Sequence, residues 1–251
     1  MAKLTILGSS NAIPSLEHDN THMVLETQNH TILVDCASNP LLGLKRAGIS
    51  FHNVNDIILT HFHPDHVGGL PLFLMDMWLL GRHAPLNIYG LDHAIERAEA
   101  MMQLFSWEEW PNFYPVNFCR IPEEPFALVI DNQDIRMYAS PVKHFIPNIG
   151  LRFELKMEAK SLAYSCDTEP CSTVFTLSKD VNFLLHEAAG DFRGHSSAGQ
   201  AGDVARTAGV GELVLIHYPT GPLASGDLAA QAAAKFNGPI RLAYDFMVIE
   251  L

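Results

Sequence analysis

Apolar and polar positions alternate along the chain in two successive blocks. In the first, residues 3–7, 22–26 and 31–35 read as strands, the last an apolar run closed by an acid. Residues 41–47 read as a helix ending at Gly48. Residues 54–60, with Ile57, Ile58 and Leu59 in a row, predict a buried strand that runs straight into a polar cluster at His61. Residues 68–80 are apolar enough for a helix packed on a sheet, 86–89 form a strand, and 93–105 carry apolar positions at helical spacing. The second block repeats the style. Strands are predicted at 135–139, 149–155, 161–165, 183–186 and 213–217, with helices at 197–208 and 228–236. Residues 241–244 and 247–251 are expected to close the sheet. Strands alternating with helices indicate an α/β layered fold. No repeat or low-complexity linker interrupts residues 1–251, so one domain is expected.

Composition narrows the function more than the fold. Hydrophobic residues make up 48% and charged residues 18%, an ordinary globular mix. Residues 3–8 read as a strand entering a glycine turn, with no apolar leader, and no run is long enough to span a membrane. Four scattered cysteines (Cys36, Cys119, Cys166, Cys171) make no disulfide framework and fit a reduced, cytoplasmic protein. The net charge of −12, without a basic stripe, disfavours large nucleic acids as partners. Thirteen histidines are many for 251 residues, and their placement carries the chemistry.

The densest signal is Thr60-His61-Phe62-His63-Pro64-Asp65-His66-Val67-Gly68-Gly69, where a buried strand gives way to a helix. That is the usual place for a site in an α/β sheet. Three imidazoles and a carboxylate within six residues suit zinc, and also manganese or iron. Neighbours in a loop can point apart, so His61 and His63 could serve one ion, and Asp65 and His66 another. The competing reading is a surface histidine cluster without a role.

The pattern His-x-His-x-Asp-His followed by Gly-Gly resembles the signature of the metallo-β-lactamase superfamily of dinuclear metal hydrolases. The later motifs of that superfamily are matched by His144 after Pro141-Val142-Lys143, by Asp167 in Ser165-Cys166-Asp167-Thr168, and by His217 after Leu213-Val214-Leu215-Ile216. Within it the chain is similar to ribonuclease Z and its phosphodiesterase relatives. The similarity rests on Leu7-Gly8-Ser9-Ser10-Asn11-Ala12-Ile13-Pro14, Ile32-Leu33-Val34-Asp35-Cys36 and Pro85-Leu86-Asn87-Ile88-Tyr89-Gly90. Its most specific part is Leu185-His186-Glu187-Ala188 followed by His195-Ser196-Ser197-Ala198. Two departures stand out. Only 22 residues separate His144 from Asp167, too few for the arm with which ribonuclease Z grips tRNA. Asp19-Asn20 stands where the family has Arg-Asn.

The resemblance implies a four-layer αββα sandwich and two divalent ions, zinc first and manganese or iron as alternatives. His61, His63 and His144 would bind one ion, Asp65, His66 and His217 the other, and Asp167 would bridge them. Such a pair holds a hydroxide between ions about 3.5–4 Å apart, for attack on the substrate. A histidine at position 63, where redox-active iron relatives carry glutamate, favours hydrolysis. His195 oriented by Glu187 would protonate the leaving oxygen, and Asp65 belongs with the catalytic groups. The competing reading of His195 is incidental, with Ser196 or Ser197 capping the next helix. Asp35 reads either as an orienting group behind a ligand or as a strand-end turn former, His186 as buried support, and Cys166 as a small buried residue. Lys143 and Arg193 read as solvated surface charges. Six aromatics between Phe105 and Phe118 read as a lid over the metals, a homodimer contact or core.

The function these features imply is a phosphodiesterase acting on small or cyclic phosphodiesters. The alternatives are a metal-dependent esterase, lactonase or arylsulfatase, and a non-catalytic binding protein that kept the fold. A small anionic or ester substrate is expected, and tRNA 3′ processing is not.

Overall fold

In the computed structural model, which describes residues 2–251, fourteen strands form two seven-stranded mixed sheets. The first sheet uses β1 (Lys3–Gly8), β2 (His22–Glu26), β3 (Thr31–Val34), β4 (Val54–Ile58), β5 (Leu86–Gly90), β6 (Val116–Arg120) and, at its edge beside β1, β14 (Val248–Glu250). The second uses β7 (Ala127–Asp131), β8 (Ile135–Pro141), β9 (Ile149–Leu155), β10 (Lys160–Tyr164), β11 (Phe183–Glu187), β12 (Glu212–Ile216) and β13 (Ile240–Leu242). Each sheet is antiparallel in one part and parallel in the other: β3 to β6 run parallel, as do β10 to β13.

The strands are apolar on both faces because both faces are covered. Leu4, Ile6, Met23, Leu25, Ile32 and Val34 meet Met137, Leu151, Phe153, Leu185 and Val214 between the sheets. Their sequence neighbours Val24, Leu33 and Ile57 point the other way, onto α1 (Pro40–Arg46), α3 (Leu70–Leu79) and α4 (Asp92–Gln103). Leu184, Leu213 and Leu215 likewise pack on α5 (Ser172–Leu177), α6 (Ala198–Ala208) and α7 (Leu228–Ala233). The result is helix–sheet–sheet–helix, the four-layer sandwich.

Three expectations change. Residues 241–244 and 247–251 do not close one sheet: β13 is an edge of the second sheet and β14 an edge of the first. The helix expected over 68–80 is α3, and a further helical turn, α2 (Pro64–Val67), precedes it across Gly68-Gly69. That added turn carries Asp65 and His66. The aromatic segment 105–118 holds a further strand, β6, and Trp107, Trp110 and Phe113 pack with the outer core of the first sheet. Trp110 stacks on Trp78 of α3 with ring centroids 5.1 Å apart.

Candidate metal centre

Every expected ligand leaves the C-terminal end of a strand or enters the helix that follows. His61 and His63 follow β4, Asp65 and His66 lie in α2, and His144, Asp167 and His217 follow β8, β10 and β12. Several exits turn through a left-handed backbone that side chains rarely adopt: Asp35 at φ 63°, Cys166 at φ 52° and His217 at φ 53°. Strain of this kind persists only where the surrounding fold imposes it. Ladder bonds and buried neighbours hold these residues: His217 N donates to the Ser9 carbonyl (2.9 Å) and Asp35 N to that of Ile58 (2.8 Å).

All seven side chains come together at this end of the two sheets. His63 Nδ1 lies 3.0 Å from His61 Nε2 and 3.2 Å from His144 Nε2. Asp65, His66, Asp167 and His217 form a second group of converging donor atoms. Asp167 Oδ2 stands between the groups, 3.2 Å from His217 Nε2, 3.5 Å from His66 Nε2 and 3.9 Å from His61 Nε2.

The ring orientations follow from what lies behind them. His66 Nδ1 donates to Asp35 Oδ2 at 2.7 Å, and Asp35 is itself fixed by Thr60 N and Oγ1, each at 2.9 Å. His144 Nδ1 donates to the Gly194 carbonyl at 2.7 Å. Both rings thus turn Nε2 inward, the nitrogen with which a cation would be held. Asp35 fills both of its expected roles, since its left-handed backbone makes the turn and its carboxylate orients His66.

The buried polar atoms test whether a metal fits. His66 Nε2 and Asp167 Oδ1 are buried without a hydrogen-bond partner, a costly state for polar groups. Cations between the two groups would satisfy both, and the imidazole–carboxylate donor set is one that zinc, manganese and iron accept. Electrostatics agree. Burial would raise Asp167, but His217 and His66 hold it well below the usual carboxylate range. Burial and the neighbouring His66 keep His61 neutral, well below its ordinary value. Cys166 approaches His61 Nδ1 at 3.7 Å, yet burial and Asp167 raise its thiol well above the ordinary range, so it stays a protonated packing group.

Beside the cluster, His195 Nδ1 lies 3.1 Å from Glu187 Oε1, and Glu187 also accepts from Thr168 N at 2.6 Å and Ala189 N at 3.1 Å. Burial pulls His195 down, but the hydrogen bond and charge of Glu187 outweigh it and raise the imidazole. Burial pushes Glu187 up against the opposing pull of the His195 hydrogen bond. Ser197 meanwhile caps α6 in a reciprocal box with Gln200. His186 is buried in β11 with Nδ1 on the Glu187 carbonyl.

Sequence reading missed the braces around this pair. Glu169 accepts from Lys143 Nζ at 2.6 Å and from Gly194 N at 3.0 Å, tying the His144 loop to the His195 loop. Ser196 Oγ donates to the Thr168 carbonyl. A cavity of about 610 Å³ opens behind the same loop, lined by Ala188, Gly190, Ser197, Tyr218 and Leu228. Nothing local in the sequence marks these contacts, because each joins segments distant along the chain.

Comparison with known proteins bears on the family and the fold. Ribonuclease Z of Methanothermobacter thermautotrophicus is 28% identical over an alignment of 306 positions, covering 100% of this chain and 97% of the relative. Ribonuclease BN of Cronobacter sakazakii is 28% identical over 98% of this chain and 99% of its own. Among solved structures, the metallo-β-lactamase fold protein YhfI from Bacillus subtilis superposes with TM-score 0.81 at 21% identity, covering 100% of this chain and 99% of that one. Human tRNase Z, short form, superposes with TM-score 0.80 at 24% identity over 99% and 98%. The family described as Anti-Pycsar protein Apyc1 matches residues 2–225, from the first strand to beyond His217. On that extent this metal-dependent hydrolase of the metallo-β-lactamase fold, similar to ribonuclease Z, belongs to the Apyc1 family.

Proposed function

We propose that the protein is a phosphodiesterase acting on small or cyclic phosphodiesters. His61, His63 and His144 would hold one divalent ion and Asp65, His66 and His217 a second, with Asp167 shared and zinc the first choice. When bound, such ions supply charge neutralisation for an anionic substrate and an activated water. The chain's own residues do the rest. Asp35 and the Gly194 carbonyl orient His66 and His144, and Glu169 keeps the His144 and His195 loops in register. His195, charged through its contact with Glu187, donates its proton from Nε2 to the departing oxygen, and Glu187 holds the ring in the orientation this requires.

The observation that carries the reading is the Glu187–His195 pair beside the histidine–aspartate cluster, with His144 and His195 ring centroids 5.0 Å apart. Whole-chain similarity to ribonuclease Z favours a second reading, tRNA processing. Against it, β9 and β10 fill the interval between His144 and Asp167 as a plain antiparallel hairpin, and the net charge is −12. The deciding measurement is kcat/KM, on protein of known metal content, for an alkyl and an aryl phosphodiester, a lactone, an aryl sulfate and a precursor tRNA. The diesters should lead. Faster turnover of the lactone or sulfate, or efficient cleavage of precursor tRNA at physiological salt, would overturn the reading.

A further inference from the structure

Two half-exposed phenylalanines flank His195. Phe145 and Phe192 are 51% and 52% exposed, and their ring centroids lie 6.0 and 4.8 Å from that of His195. Large apolar rings left half in water beside a polar centre point to a surface that something covers. Neither ring is loosely placed. A Cβ at Gly194 would come within 2.8 Å of the Phe145 ring, and one at Gly190 within 2.7 Å of the Phe192 ring. Both glycines hold positive φ, 80° and 142°, so each phenyl lies directly on bare backbone that only glycine provides. The loop beneath is pinned in turn. Gly190 N donates to the Ser196 carbonyl at 3.0 Å, His195 N to that of Phe192 at 3.0 Å, and Gly194 N to Glu169. Next to Phe192 in sequence, the Arg193 guanidinium lies 5.8 Å from the Phe145 centroid, which places a cation at the same rim.

We propose that Phe145 and Phe192 are specificity-determining residues, a clamp that selects substrates whose leaving group carries a flat aromatic ring. The inference rests on the phosphodiesterase reading, in which His195 faces the leaving oxygen, so whatever is attached to that oxygen lies near these rings. A flat π surface can stack on or meet the edge of a fixed phenyl, and such pairs contribute roughly two- to tenfold per contact beyond simple burial. A puckered saturated ring of equal carbon count forgoes that gain. The fixed seats matter because a ring that need not be ordered on binding loses little entropy there.

The test compares bis(2-phenylethyl) phosphate with bis(2-cyclohexylethyl) phosphate, which have alkoxide leaving groups of similar basicity and differ in the flatness of the ring. The metal-loaded protein should show a higher kcat/KM for the phenyl diester, and the double variant F145L/F192L should reduce that ratio about tenfold. The single variants F145Y and F192Y should keep it. Calorimetric binding of the leaving alcohols, 2-phenylethanol and 2-cyclohexylethanol, gives a readout independent of turnover. If neither diester is hydrolysed while 2-phenylethanol still binds more tightly than 2-cyclohexylethanol, and only with both phenylalanines present, the phosphodiesterase reading fails and the clamp stands. A binding preference absent in the parent protein, or surviving in F145L/F192L, overturns the clamp. So does a change of oligomeric state in that variant with the substrate ratio intact, which would make the rings a contact between copies.

Discussion

At His195 two local demands are met two residues apart. Ser197 supplies the cap that α6 needs, while the histidine two positions earlier turns its Nδ1 to Glu187. The capping and catalytic readings of this segment are therefore compatible, since different side chains carry them. His195→Ala should keep its metal content and lose about 10²–10⁴-fold in kcat on an alkyl phosphodiester, the range general acid catalysis supplies. A nitrophenyl diester, whose leaving group departs without a proton, should lose far less. Equal losses on both would assign His195 to substrate positioning instead. Asp35 shows the same economy, because its left-handed backbone makes a turn and its carboxylate holds His66.

The elements that carry the site are short and meet backbone to backbone. Gly69 lies between α2 and α3, with its N–H on the Cys36 carbonyl at 2.8 Å. A Cβ there would come 2.5 Å from the Ser38 carbonyl and 2.8 Å from that of Cys36. Backbone cannot step aside as a flexible side chain can, so Gly69→Ala should cost about 1–3 kcal/mol and displace the α2 turn that carries Asp65 and His66. Gly199, early in α6, is the contrast: its nearest neighbour to an added Cβ is at 3.8 Å. Gly199→Ala should be neutral or slightly stabilising. Thermal melting of both variants with metal analysis checks this, and equal melting points would refute the backbone argument.

At the scale of the whole molecule, the core between the sheets joins the two blocks of the chain, with Leu4, Ile6 and Leu25 against Met137, Phe153 and Val214. The metal centre is likewise shared, with His61 and His66 from one block and Asp167 and His217 from the other. We infer one cooperative unit over residues 2–251. Calorimetry should show a single unfolding transition. Stripping the metals should lower it by on the order of ten degrees, relative to ions present at a thousandfold excess over their Kd, without splitting it. Two transitions would mean that the sheets fold separately.

Local sequence patterns mark which residues could do the chemistry and roughly where. Dense histidines after a run of buried β-branched residues need no tertiary information to be read, because strand period and ligand type are local properties. The same holds for Glu187 and His195, which the motif resemblance marks, and for the alternation of strands and helices. Tertiary structure alone decided the rest. Which sheet β13 and β14 join is set by pairing across the chain, and their short apolar runs fit either edge. The segment around Trp107 and Trp110 packs on the outer core of the first sheet because α3 offers Trp78 there, a partner about thirty residues away in sequence. The Glu169 brace, the seat of Phe145 on Gly194 and the convergence of Asp167 on both histidine groups are likewise contacts between distant segments. Periodicity reports which face of an element is buried, and only the packed chain determines what that face meets.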